Sequence, residues 1–432
     1  MNLLEKMELF FDKNIILNKS NNIIYKLNKP IFKKCVLKVD QEYEGGSDNY
    51  YTIIKNNNYK LYYRSQKHDS WDDYENKIIN KNYRLGKDEE FSIAESDDGL
   101  IFNKKKCLTH LKENNFLKKE NFCHNFYPYF NKNLNNYLGI SGINKKNNGL
   151  FLFNSKDGII WNKKNLVLNQ THILPGFNHI NHFDSHNSLF YNNYDNYYYI
   201  YLRDNQHKPF ERRFVQYTKS KDLINFEKCK SIHILNKNIE QLHFYVFNAF
   251  LYNNYFIAIP TISSSIPTEK NSNMLLYSLD GENWNILNEN FFNINNNNYC
   301  IVSNIVESLD NNELYFYLNL NSGFKNHHID CYSIKKDRFC EINCKENGYL
   351  ETKLIELNNE TIYVNFETFN NGWLEIDIID KNKKQILKSK KLNGNKIYEK
   401  IIWDISNIIF KKDKYYLKFT LFNSSLFSFK YY

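Results

Sequence analysis

Arginine, proline and glycine are all scarce in this chain of 432 residues, and each scarcity excludes something. Six Pro and 14 Gly leave asparagine to make many of the tight turns that glycine usually makes. The six arginines (Arg64, Arg84, Arg203, Arg212, Arg213 and Arg338) stand against lysine for the rest of the 57 basic residues, so each arginine is informative. The lysines scatter beside asparagines and form no basic stripe, so the formal charge of +9 does not point to nucleic acid. None of the eight cysteines (Cys35, Cys107, Cys123, Cys229, Cys300, Cys331, Cys340, Cys344) forms a CxxC pair. No His-rich segment accompanies them, so neither a metal site nor a redox cofactor is expected. Met1 to Asn14 carry charge throughout, and no apolar run reaches membrane length. The expectation is therefore a soluble protein made in the cytoplasm, with no membrane partner. A virion or an unconventional export route is the alternative.

What the chain has in plenty is aromatic: 34 Tyr and 33 Phe, 17 % aromatic in all, among Ile-rich runs and Asn-rich breaks. That composition suits many short strands joined by turns. Four segments repeat a Ser-x-Asp-(Gly)-x-x-aromatic pattern: Ser96 to Phe102, Ser155 to Trp161, Ser220 to Phe226 without the glycine, and Ser278 to Trp284. Ser333, Asp337 and Phe339 make a degenerate fifth. Their period of about 60 residues is enough for one four-stranded propeller blade.

Between these marks runs a second repeat, an apolar strand, an Asn-rich turn and an aromatic strand. It recurs at Tyr51 to Arg64, Asn125 to Gly142, Asn187 to Arg203, Asn248 to Pro260 and Asn304 to Leu320. Two repeats alternating in phase predict an all-β chain, a five-bladed β-propeller over residues 1–345. Beyond it the period is lost. Ile362 to Glu367, Trp373 to Ile379, Ile401 to Trp403 and Tyr415 to Leu421 read as strands of a small β-sandwich over 346–432.

A blade's first strand lines the channel, so chemistry is expected where first strands begin. The Ser-x-Asp segments fall at the opposite end and are read as turn anchors. The catalytic candidates are Glu44, Asp184 and Glu240, one each from blades one, three and four. Around them stand His124, His182, His243, Tyr245, Tyr299 and Ser303. Arg64 and Arg203 close matching second strands, and Arg213 opens a third strand. Carboxylates converging on one funnel suit glycoside hydrolysis, in which one carboxylic acid protonates the leaving oxygen and another attacks or activates water. The arginines, if clustered, suit a uronate or sialate, because a guanidinium grips a carboxylate through two parallel hydrogen bonds.

Leu9 to Ile16, Tyr43-Glu44-Gly45, Ala94 to Gly99, Phe183 to Asn187, Glu240-Gln241-Leu242 and Leu350 to Lys353 carry a resemblance. The chain resembles glycoside hydrolase families 32 and 43 and bacterial glycosidase-like and sialidase-like propeller proteins. The resemblance implies a glycan-cleaving enzyme with a carboxylate acid/base mechanism. Blade one carries a glutamate where families 32 and 43 place an aspartate, and the Trp-Met-Asn-Asp-Pro-Asn-Gly type motif of family 32 is absent. The competing expectation is accordingly a non-catalytic glycan-binding or virion-surface propeller.

Overall fold

The computed structural model describes residues 5–41, 44, 50–66, 89–105, 122–143, 149–174, 183–206, 212–235, 242–262, 272–292, 294, 301–321, 326–404 and 410–432. The fold is all-β. Among the described residues there is no α-helix, only a 3₁₀ turn at Lys13–Ile15, and no helix long and apolar enough to cross a membrane.

The chain divides into two compact units: a larger one, Pro30–Asp310 with Tyr315–Ser333, and a smaller one, Met1–Lys29 with Asn311–Leu314 and Ile334–Tyr432. This division differs from the linear one at 345/346. Lys6–Glu8, Ile16–Lys19 and Ile24–Leu27 pair with Asp413–Tyr431, Gly348–Thr352 and Cys340–Cys344. In the smaller unit Ile362–Ile379 is one strand, with a register shift between Thr368 and Trp373, and it lies along Asp413–Tyr431. Ile401 to Trp403, expected as a strand, contributes an isolated bridge from Trp403 to Ser389.

The larger unit holds, among the described residues, five sheets built on the predicted hairpins. Sheet one is Tyr51–Lys55, Tyr59–Gln66, Glu89–Ser96 and Asn103–Lys104. Sheet two is Tyr127–Asn131, Asn136–Ile143, Gly149–Ser155 and Asn162–Asn169. Sheet three is Ser188–Asn192, Tyr197–Gln206, Arg212–Ser220 and Lys230–Ser231. Sheet four is Ala249–Tyr252, Tyr255–Ala258, Leu275–Ser278 and Asn283–Asn288, with His233–Ile234 added in parallel. Sheet five is Ile305–Glu307, Glu313–Leu320 and His328–Lys335, and its outer strand, Ile31–Lys38, comes from the other end of the chain. Alongside these a small three-stranded ribbon, Phe244–Val246, Thr261–Ile262 and Ser272–Asn273, flanks sheet four. Asparagine makes the turns as composition requires: Asn135, Asn196, Asn253 and Asn311 all have positive φ between the paired strands of sheets two to five.

The first strands neighbour one another from sheet one through sheet four, and that of sheet five neighbours that of sheet one. Tyr51 on sheet one donates to the carbonyls of Ile301 and Tyr317. The Ser-x-Asp turns tie themselves together. In the first, Ser96 Oγ donates to Asp98 Oδ1 (2.9 Å), which accepts from the Leu100 and Ile101 amides (2.7 and 3.0 Å). Sheets two, three and four repeat this bonding at Asp157, Asp222 and Asp280.

Candidate active site

Asp184, Arg203, Arg64 and His124 converge at the end where the first strands begin. Arg64 and Arg203 lie on the second strands of sheets one and three, and His124 precedes the first strand of sheet two. Asp184 is held in place from the backbone outward. Asn125, adjacent to His124, donates through Nδ2 to the Phe183 carbonyl at 2.6 Å and accepts at Oδ1 from the Gly142 amide and Ser141 hydroxyl (both 2.9 Å). A Cβ at Gly142 would lie 2.4 Å from that same carbonyl, so this close approach requires glycine.

The side chains form a relay. Arg64 Nη1 donates to His124 Nδ1 at 2.9 Å, and His124 Nε2 stands 2.9 Å from Asp184 Oδ1. A guanidinium cannot accept, so the His124 proton sits on Nε2 and is donated to Asp184. Arg203 Nη1 lies 3.9 Å from Asp184 Oδ2. Burial pushes the Asp184 carboxyl up, but the His124 hydrogen bond and the positive charges around it, Arg203 and Arg64 among them, outweigh burial and hold it below the usual carboxylate range.

Arg203 is buried, and its Nε has no hydrogen-bond partner. Its guanidinium is lowered by that burial and further by the charge of Arg213. Arg213 lies 5.7 Å from the centre of the Tyr245 ring. His243 is pushed down to about 4, first by burial and then by Arg213 and Arg203, so it is neutral at pH 7. Tyr50, which the sequence did not single out, stacks on His186 (5.1 Å, 3°) and lies under Arg64 at 5.5 Å. His186 is buried between Thr52 Oγ1 (3.2 Å) and Asn248 Nδ2 (3.1 Å), and burial pushes it down to about 3.

Glu44 has a different setting from Asp184. Its fully buried carboxylate accepts from the amides of Asp40 (2.9 Å) and Gln41 (2.8 Å) and from Tyr63 Oη (2.6 Å), and it pairs with Lys104 Nζ (2.7 Å). Three donors reach Oε2 and one reaches Oε1, and with no exposed surface the carboxylate offers no face to a ligand. Ser303 is buried, with its hydroxyl unpartnered. Glu240, His182 and Tyr299 lie outside the described residues. Of the expected set, the structure thus brings together Asp184, Arg64, Arg203, Arg213, His124, His243 and Tyr245. The signal for Tyr50 was its place immediately before a first strand, the position that also yielded His124 and Asp184.

No family model matches the chain, and no curated protein matches it. Among solved structures it is similar to one described as a glycoside hydrolase, at TM-score 0.52 and 11 % identity over 71 % of this chain and 92 % of that one. It is similar to a BT0996 RGII complex at 0.52 and 12 %, over 72 % and 92 %. A family 43 arabinoxylan arabinofuranohydrolase from Bacillus subtilis, in complex with cellotetraose, matches at 0.46 and 8 %, over 90 % and 96 %. The likeness is one of fold: an all-β, propeller-like chain of the glycoside hydrolase type.

Proposed function

We propose that the larger unit is a five-bladed β-propeller whose funnel binds and acts on a carbohydrate, with Asp184 as its working carboxylate. The smaller unit is read as a sandwich-type accessory module. The observation that carries the proposal is Asp184 itself, one-third exposed, hydrogen-bonded by His124 and flanked by Arg203. A carboxylate held ionised suits a base or nucleophile and not the proton donor. The donor role is assigned to Glu240. Glu44, with four partners, is assigned to the scaffold.

Among the described residues, the charges of Arg64 and Arg203 act on Asp184 and that of Arg213 acts on Arg203, so positive charge outnumbers negative here. That imbalance favours a sugar bearing an acid group, which would pair with this arginine cluster. His124, His243 and Tyr245 supply further contacts, and His182 is proposed to join them.

The test is to incubate the full chain with neutral and uronate-bearing oligosaccharides and to follow products by chromatography. Cleavage of a uronate-bearing chain, lowered by about 10²–10⁴-fold in Asp184→Asn without loss of thermal stability, is the expected result. A second reading, glycan binding without cleavage, is favoured by the sealing of Glu44 among its four partners. It expects tight binding with no product. Neither binding nor cleavage of any acidic or neutral chain would overturn both.

A further inference from the structure

We propose that the larger unit carries a second carbohydrate site, for a neutral oligosaccharide, at the opposite ends of the same first strands. There the ends of the first strands of all five sheets, with the turns that follow some of them, line a cavity of about 730 Å³, within the roughly 300–1,000 Å³ of small-molecule sites. The buried set of His186, Thr52 and Asn248 lies between this cavity and the Asp184 end, so the two mouths are separate.

The lining is that of a sugar site and differs from the funnel's. Three half-buried tyrosines, Tyr129, Tyr191 and Tyr252, line the cavity, and aromatic rings of this kind can stack on the C–H face of a pyranose. Three asparagines, Asn56, Asn133 and Asn193, follow the first strands of sheets one, two and three. All three are exposed. Among the described residues their carboxamides have no hydrogen-bond partner, so each offers a donor and an acceptor to ligand hydroxyls.

Among the described residues, no arginine lines the cavity. Lys55 is already engaged, donating to the Ser308 carbonyl at 2.7 Å and lying over the Tyr59 ring. Lys132 and Glu307 carry opposite charges. Two lysines, one of them held by a carbonyl, against one glutamate leave walls dominated by tyrosine, asparagine and aliphatic side chains, and such amphipathic walls suit a neutral polyol.

The experiment is calorimetric titration of the full chain with cellotetraose, xylotetraose and maltotetraose. It is repeated on the double variant Asn133→Ala/Asn193→Ala and on the funnel variant Arg203→Met. The expected result is that at least one tetrasaccharide binds, about tenfold more weakly to the double variant and equally well to Arg203→Met. Both asparagines are exposed, so the double variant should keep the parent melting temperature. No binding of any of the three at millimolar concentration overturns the proposal. So does binding that Arg203→Met abolishes and the double variant keeps, an outcome that leaves the funnel reading intact.

Discussion

At the scale of single residues, the fate of a carboxylate depends on how many partners it has and whether solvent reaches it. Glu44 and Asp184 look alike in sequence, each before a first strand. Glu44 lies fully buried against two amides, a phenol and Lys104, whereas Asp184 keeps an open edge. The sequence could not separate them, because the tyrosine and lysine that satisfy Glu44 come from strands 19 and 60 residues away. Glu44→Gln should therefore lower stability by about 1–3 kcal/mol and leave ligand affinity alone. Arg203→Met should instead weaken an acidic sugar by at least about tenfold with little change in melting temperature. Thermal denaturation and titration of both variants check the pair; the reverse pattern would exchange the two roles.

At the scale of elements, the repeat visible in the sequence has a physical cause that the structure supplies. Each Ser-x-Asp-Gly turn places its glycine against a tyrosine from the second strand of the neighbouring sheet. Tyr317 Oη donates to the Gly99 carbonyl and Tyr201 Oη to that of Gly281, both at 2.7 Å. A Cβ on Gly158 would lie 2.4 Å from Tyr62 Oη. Gly99, Gly158 and Gly281 have φ of +77°, +73° and +79°. The third turn has Leu223 in the glycine position, at φ 63°, and Ile140 stands on the second strand of the neighbouring sheet where the other turns have these tyrosines. Ile140 of sheet two occupies the same apolar cluster as Leu223. The missing glycine is thus matched by a missing hydroxyl.

Gly281→Ala should cost about 1–3 kcal/mol, because strain and the Tyr201 hydroxyl both oppose it. Leu223→Gly should cost only its lost burial, without the turn collapsing, and chemical denaturation of both variants compares them. The motif was legible because it is local. The outer strand of sheet five was not, since Ile31–Lys38 pairs with His328–Lys335, and no local period marks so distant a partner.

At the scale of the whole molecule, the buried and half-buried histidines contribute to the response to acid. His186 and His327 are pushed down to about 3 and His243 to about 4, in each case first by burial. The unfolded chain takes up these protons below about pH 6.5 while the fold refuses them, so stability present above pH 6.5 is lost as pH falls toward 3. For fully buried His186 the loss is about 1.4 kcal/mol per pH unit, or about 2 kcal/mol by pH 5. A His186→Gln variant should be less stable at pH 7 and show a shallower decline between pH 6.5 and 4. An unchanged slope would mean that His186 is protonated inside the fold.

The all-β character and the repeating hairpins could be read from the chain because turn chemistry and strand alternation are local. The pairing of residues 6–27 with the C-terminal strands could not, because Ser20 and Tyr349, 329 residues apart, are joined only by the finished fold. The most direct test of the funnel as a sugar site is a crystal structure of the full chain soaked with a trigalacturonate. The account predicts that a sugar carboxylate lies within hydrogen-bond distance of a funnel arginine, with the ring beside Asp184. An acidic sugar bound away from Arg203 and Asp184, or an empty funnel at saturating ligand, would contradict it.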